Sequence, residues 1–134
     1  MGIIQKLFLL SAGIFGAVGV ILGAIGSHWL KDRLNYWELN SFDTGVRYQL
    51  FHTLTLLALV LLMEKLNYPL LTWSGCAFIA GIFLFSGSIY LLSIKNLFHI
   101  YGSQFLGPIT PIGGLLLIIG WVLIAITAIQ ELRS

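Results

Sequence analysis

Charge is what this sequence has least of. Asp, Glu, Lys and Arg make up 9% of its 134 residues, against about 25% in a soluble domain. Seven basic and five acidic residues leave a net charge of +2. No Lys/Arg cluster accompanies it, so nucleic acid is not an expected partner. A single cysteine, Cys76, excludes an intrachain disulfide. It lies inside an apolar run and reads as a small packing residue. Cys–Cys and His-x-x-x-His spacings are missing, and only His28, His52 and Asp43 could meet on one side. A metal site needs three or four ligands, so none is expected. Glycine-rich phosphate-binding patterns in a strand–turn–helix setting are also missing, and no cofactor is expected.

What the chain does have is apolar length. Leu7 to Gly26 is a run of 20 residues without a charge. Further runs cover about Gly45–Met63, Leu70–Ile94 and Ile109–Ile129. A bilayer core about 30 Å thick is crossed by about 20 apolar residues in a helix. The expected architecture is therefore all-α: a four-helix transmembrane bundle with antiparallel neighbours and short loops. The spans are roughly 3–26, 45–63, 70–94 and 109–130, in one membrane domain with membrane lipid around it. The first run starts after Lys6 and ends in a small-x-small triplet, as a signal peptide would. It is longer than the 7–15 residues of a signal h-region, so it reads as a retained span.

Span 1 carries Gly16, Gly19, Gly23 and Gly26 on one helix face, with Ala12 extending the stripe. Gly19-x-x-x-Gly23 is a small-xxx-small pattern that lets another backbone approach. The stripe serves either packing inside the protomer or a homo-oligomer. Ser74, Ala77, Gly81 and Ser88 form a weaker stripe on span 3, and Gly113, Gly120 and Thr127 another on span 4. Span 2 instead offers Gly45, Tyr48, His52 and Thr55, a polar stripe expected to face the bundle interior.

The connection Ser27–Thr44 carries Lys31, Asp32, Arg33, Glu38 and Asp43 together with Trp29, Tyr36 and Trp37. It reads as a loop with a short segment lying at the headgroups. Pro111 is expected in the first turn of span 4, where its missing N–H has no partner. Four crossings put the first and third connections on one side, with His28, Asp43, Arg47, Tyr48, Gln49, His52, Lys95, His99, Tyr101 and Thr110 near it. Lys plus Arg are almost balanced across the membrane, and the expectation leans to cytoplasmic termini.

His52 would lie about 10 Å into the membrane if the helix enters near Gly45. An intramembrane ionisable group points to function, and histidine titrates near neutrality. It would serve equally as a neutral, hydrogen-bonded residue that fixes helix register. Arg47 would reach up to the interface, and Asp43 is spaced to pair with it.

Four stretches, in order, resemble the YwdK/YgdD-like family of small bacterial membrane proteins, a domain of unknown function. They are Gly23-Ala24-Ile25-Gly26-Ser27-His28-Trp29-Leu30, Tyr48-Gln49-Leu50-Phe51-His52 and Phe85-Ser86-Gly87-Ser88-Ile89-Tyr90. The fourth is Gly107-Pro108-Ile109-Thr110-Pro111-Ile112-Gly113-Gly114, followed by Gly120-Trp121. Ile25 and Ser27 depart mildly from the usual pattern. The resemblance implies a four-helix protein of the bacterial plasma membrane and no particular activity. It directs attention to Ser86, Ser88 and Tyr90 beside His28, Arg47, Tyr48, Gln49, His52 and Thr110, as one shared polar pocket.

Three functions are then open. The first is a structural or accessory bundle that packs with itself or other membrane proteins. The second is a binder or conduit for a small solute, proton or lipid headgroup at His52. The third is a membrane-embedded enzyme using His52 or His28 as acid/base, for which no framed nucleophile exists at Ser27, Ser86 or Ser88.

Overall fold

A computed structural model describes all 134 residues. Four long helices follow the four apolar runs: α1 Ile3–Ile25, α2 Tyr36–Lys65, α3 Pro69–Ile94 and α4 Leu106–Leu132. Each is long and apolar enough to cross a membrane, and the chain is a multi-pass membrane protein. A π-helical turn, Gly26–Leu30, prolongs α1, and a single 3-10 turn, Ser103–Phe105, leads into α4.

α2 begins nine residues before the expected span, so Tyr36–Thr44 is helix and not loop. The cause is local. Asn35 Oδ1 accepts from Glu38 N at 3.0 Å, and Glu38 Oε2 accepts from Asn35 N at 3.1 Å, a reciprocal cap. From there to Lys65 no proline interrupts, and charge alone does not end a helix. α4 also starts early, which puts Pro111 inside the helix and beyond its first turn. The bond it cannot make is to the carbonyl of Gly107.

α2 and α3 pack together at the centre. α1 lies mainly against α2 and α4 against α3, so α1 and α4 stand on opposite flanks. Phe8, Ala12 and Phe15 of α1 meet Leu56, Leu59 and Val60 of α2, and Leu71, Phe78 and Ile82 of α3, in the main core; Leu117 of α4 closes it. A second cluster, Leu30, Leu34, Phe42 and Val46, sits where α1 meets α2.

The glycine stripe of α1 is consumed inside the protomer. Side chains added at Gly16, Gly19, Gly23 and Gly26 would meet Thr53, Leu50, Val46 and Phe42, a steady antiparallel register along α2. The small stripes of α3 and α4 face each other. A Cβ at Gly113 would overlap the backbone of Leu84 and Phe85, and one at Gly81 would come within 2.5 Å of Leu117. Small residues here let two backbones approach directly.

Candidate functional site

The polar residues of α2 build the interior by bonding to other helices. Gln49, 3% exposed, is the hub. Its Nε2 donates to the carbonyl of Phe15 on α1 at 2.8 Å, and its Oε1 accepts from the Tyr90 hydroxyl on α3 at 2.8 Å. One side chain thereby joins three helices. Nearby, Ser86 Oγ donates to the Gly45 carbonyl at 2.7 Å, and Thr53 Oγ1 donates to the Gln49 carbonyl at 2.7 Å.

One turn on, His52 joins α2 to α4. Its Nδ1 lies 2.7 Å from the carbonyl of Tyr48, and the indole Nε1 of Trp121 lies 3.2 Å from its Nε2. A carbonyl only accepts and an indole N–H only donates, so Nδ1 carries the proton and Nε2 accepts. A neutral ring in that tautomer satisfies both nitrogens. Phe78, Tyr48 and Trp121 surround it with ring centroids 5.6, 5.9 and 6.2 Å away. The space beside the imidazole is thus filled by aromatic rings.

A third set ties α3 to α4. Ser74 Oγ donates to the Gly120 carbonyl at 2.8 Å, and the Ser88 and Thr110 hydroxyls lie 2.6 Å apart. Every buried side-chain nitrogen and oxygen has a partner. Unpaired, each would cost about 1–3 kcal/mol.

The anticipated single pocket is not assembled. Gln49, Ser86 and Tyr90 form one cluster, His52 with Trp121 a second, and Ser88 with Thr110 a third. Arg47 is exposed and donates to Thr44 Oγ1 at 3.2 Å, in place of the expected pair with Asp43. His28 is exposed in the π-helical turn. Tyr48 is 44% exposed and leans on Phe85 with centroids 4.6 Å apart. The inward face of α2 is rotated from the expected stripe: Gly45, Gln49, His52 and Thr53 are buried, while Tyr48 sits at its edge. His28, His52 and Asp43 do not form a metal-holding trio.

Sequence reasoning does not single out Trp121 or Thr53 as interior polar partners, and it reads Ser74 only as part of a small packing stripe. Trp121 stands in the Gly-Trp pair of the quoted motif, yet a tryptophan near a span reads first as a lipid-facing anchor. Only the packing of α4 across α3 reveals its partner on α2.

Gln49, His52, Ser86, Ser88, Tyr90, Thr110 and Trp121 lie in the motif stretches, while Thr53 and Ser74 lie outside them. The profile of the family described as "Protein of unknown function (DUF423)" matches residues 22–114. The chain belongs to this family. A similar member is the UPF0382 membrane protein YwdK of Bacillus subtilis, 37% identical over 96% of this chain and 100% of the relative. The UPF0382 inner membrane protein YgdD of Escherichia coli K12 is 34% identical, covering 97% of this chain and 95% of its own. A Staphylococcus aureus UPF0382 membrane protein, SAB0533, is 33% identical over 94% of this chain and 98% of its own. No solved structure matches. The DUF423 match takes in Gln49, His52, Ser86, Ser88, Tyr90 and Thr110 and ends before Trp121.

Proposed function

We propose that this DUF423 protein is a non-catalytic structural or accessory bundle of the plasma membrane, with both termini in the cytoplasm. The observation that carries the reading is the closure of His52: both ring nitrogens are engaged within the chain. A binder or conduit asks for an unpartnered polar group at this depth, and the interior has none. An acid/base catalyst asks for a second group and a substrate beside the ring, where Phe78 and Trp121 stand.

Its working surface is then the outside. Leu10, Ile14 and Ile21 of α1, and Leu115, Ile118 and Val122 of α4, are exposed and apolar. A second copy or another membrane protein would meet these flanks, because the Gly16–Gly26 stripe is already covered by α2. The inner-membrane name of the Escherichia coli relative supports the location.

The test is His52→Ala in detergent-solubilised protein, with melting followed in the presence of candidate solutes and lipids. A lowered melting temperature, with no ligand stabilising the parent through this position, supports the structural role. A ligand that stabilises the parent and loses its effect in a still-folded variant would replace this reading with a binding one.

A further inference from the structure

A polar cavity of about 370 Å³ opens between the end of α3 and the start of α4, apart from the interior clusters. Lys95, Asn96, His99, Tyr101, Ser103 and Gln104 contribute to its wall. Its depth follows from the fold. α3 ends at Ile94 and α4 begins at Leu106, so the cavity sits where two spans leave the apolar layer. Aromatic residues mark the same level: Trp29 stacks on Phe98 with centroids 6.1 Å apart, and Tyr101 and Phe105 are exposed.

Lys95 is the only formally charged residue of the wall. Lys95 contributes an ammonium and His99 an imidazole, and no carboxylate lines the cavity. The acid closest in connection, Glu38, is already engaged by Asn96 Nδ2 at 2.8 Å on one oxygen and by Asn35 N on the other. That Asn96 bond is the only side-chain hydrogen bond made by the six wall residues named. The donors of Lys95, His99, Tyr101, Ser103 and Gln104 are therefore uncommitted. The backbone is bent to make this wall. Ile100 N donates to the Lys95 carbonyl at 2.8 Å, and His99 takes φ +51°, a left-handed conformation that L residues rarely adopt. Gly102 follows with φ +72°.

We propose that this cavity binds the phosphate group of a membrane lipid headgroup, with Lys95 as the cationic anchor and His99, Ser103 and Gln104 as surrounding donors. Phosphate is the anion that a bilayer presents at this depth, and a lysine among neutral donors is a point-charge phosphate binder. The site is independent of the closed interior. It gives the bundle a lipid contact fixed by chemistry as well as by apolar area.

The experiment is native mass spectrometry of the full chain released from detergent, titrated with phosphatidylglycerol or with a phosphate-free diacylglycerol glycolipid. The parent should retain phosphatidylglycerol in preference to the glycolipid. Lys95→Gln should weaken that retention about tenfold, the scale of one charge-assisted hydrogen bond. Lys95→Arg should keep most of it, and Lys31→Gln, outside the cavity, should change nothing. If Lys95→Gln fails to fold, His99→Gln with Ser103→Ala reads the same wall. Equal retention of the two lipids, or undiminished binding by the cavity variants, would overturn the site. Millimolar inorganic phosphate that occupies the cavity and expels the lipid would assign it to a free phosphorylated solute and overturn the lipid assignment.

Discussion

The indole N–H of Trp121 on α4 meets Nε2 of His52 on α2 at 3.2 Å, across 69 residues of sequence. α2 and α4 both pack on α3, and this bond spans the groove between them. It gives a histidine within a spanning helix a defined tautomer and a defined place.

Replacing Trp121 with Phe keeps a ring but removes the donor. Nε2 of His52 is then left without its partner, at a cost of about 1–3 kcal/mol. The melting temperature of the solubilised protein should fall accordingly. In a His52→Ala background the same replacement should cost clearly less, because the acceptor is already gone. Equal losses in both backgrounds would show that the bond contributes nothing.

The α3–α4 contact makes a sharper demand at Gly113 than at any exposed glycine. A methyl group there overlaps the backbone of Leu84 and Phe85, so Gly113→Ala must push two helices apart. Melting should drop by several degrees. Gly87→Ala and Gly13→Ala meet open space and should leave stability unchanged or raise it by up to about 1 kcal/mol through helix propensity. A Gly113→Ala protein as stable as those two would remove close backbone approach from the explanation.

How much of this was legible beforehand depends on the kind of signal. Apolar length located four helices, because the bilayer fixes how many residues a span needs. The 3-4-3 spacing of Gly16, Gly19, Gly23 and Gly26 located a close-packed face, though not which helix would cover it. The start of α2 is less legible: Glu38 and Asp43 make the stretch up to Thr44 look like a loop, and the Asn35–Glu38 cap that makes it helix is a two-residue signal. The pairing of Gln49 with Phe15 and Tyr90, and of His52 with Trp121, depends on how helices rotate about their axes. A shift of one position moved Tyr48 from the expected interior to the edge and brought Gln49 and Thr53 inward.

On the side of the termini, Tyr68 donates its hydroxyl to Glu131 Oε2 at 2.9 Å, tying the α2–α3 connection to the end of α4. That hydrogen bond, aided by partial desolvation and the carboxylate charge, holds the Tyr68 pKa above the ordinary tyrosine value of 10.0. A raised value means that the contact favours the protonated phenol. Its contribution is complete below the ordinary tyrosine range and is lost as pH rises through Tyr68's own, higher value. The difference between the ultraviolet titrations of the parent and of Tyr68→Phe should show one phenol ionising above the ordinary value of 10.0, and in a Glu131→Gln background that difference should move to lower pH. A Tyr68 that titrates with the remaining phenols in the parent would contradict the contact.

The most direct test of the closed interior is nitrogen-15 NMR of histidine-labelled protein in lipid bilayers, with His52 assigned by its absence in His52→Ala. A His52 held between the Tyr48 carbonyl and the Trp121 indole should be a neutral ring at pH 7, with a protonated pyrrole-type signal at Nδ1 and an unprotonated pyridine-type signal at Nε2 that shifts in Trp121→Phe. A proton on Nε2, or a signal indifferent to Trp121, would contradict that arrangement.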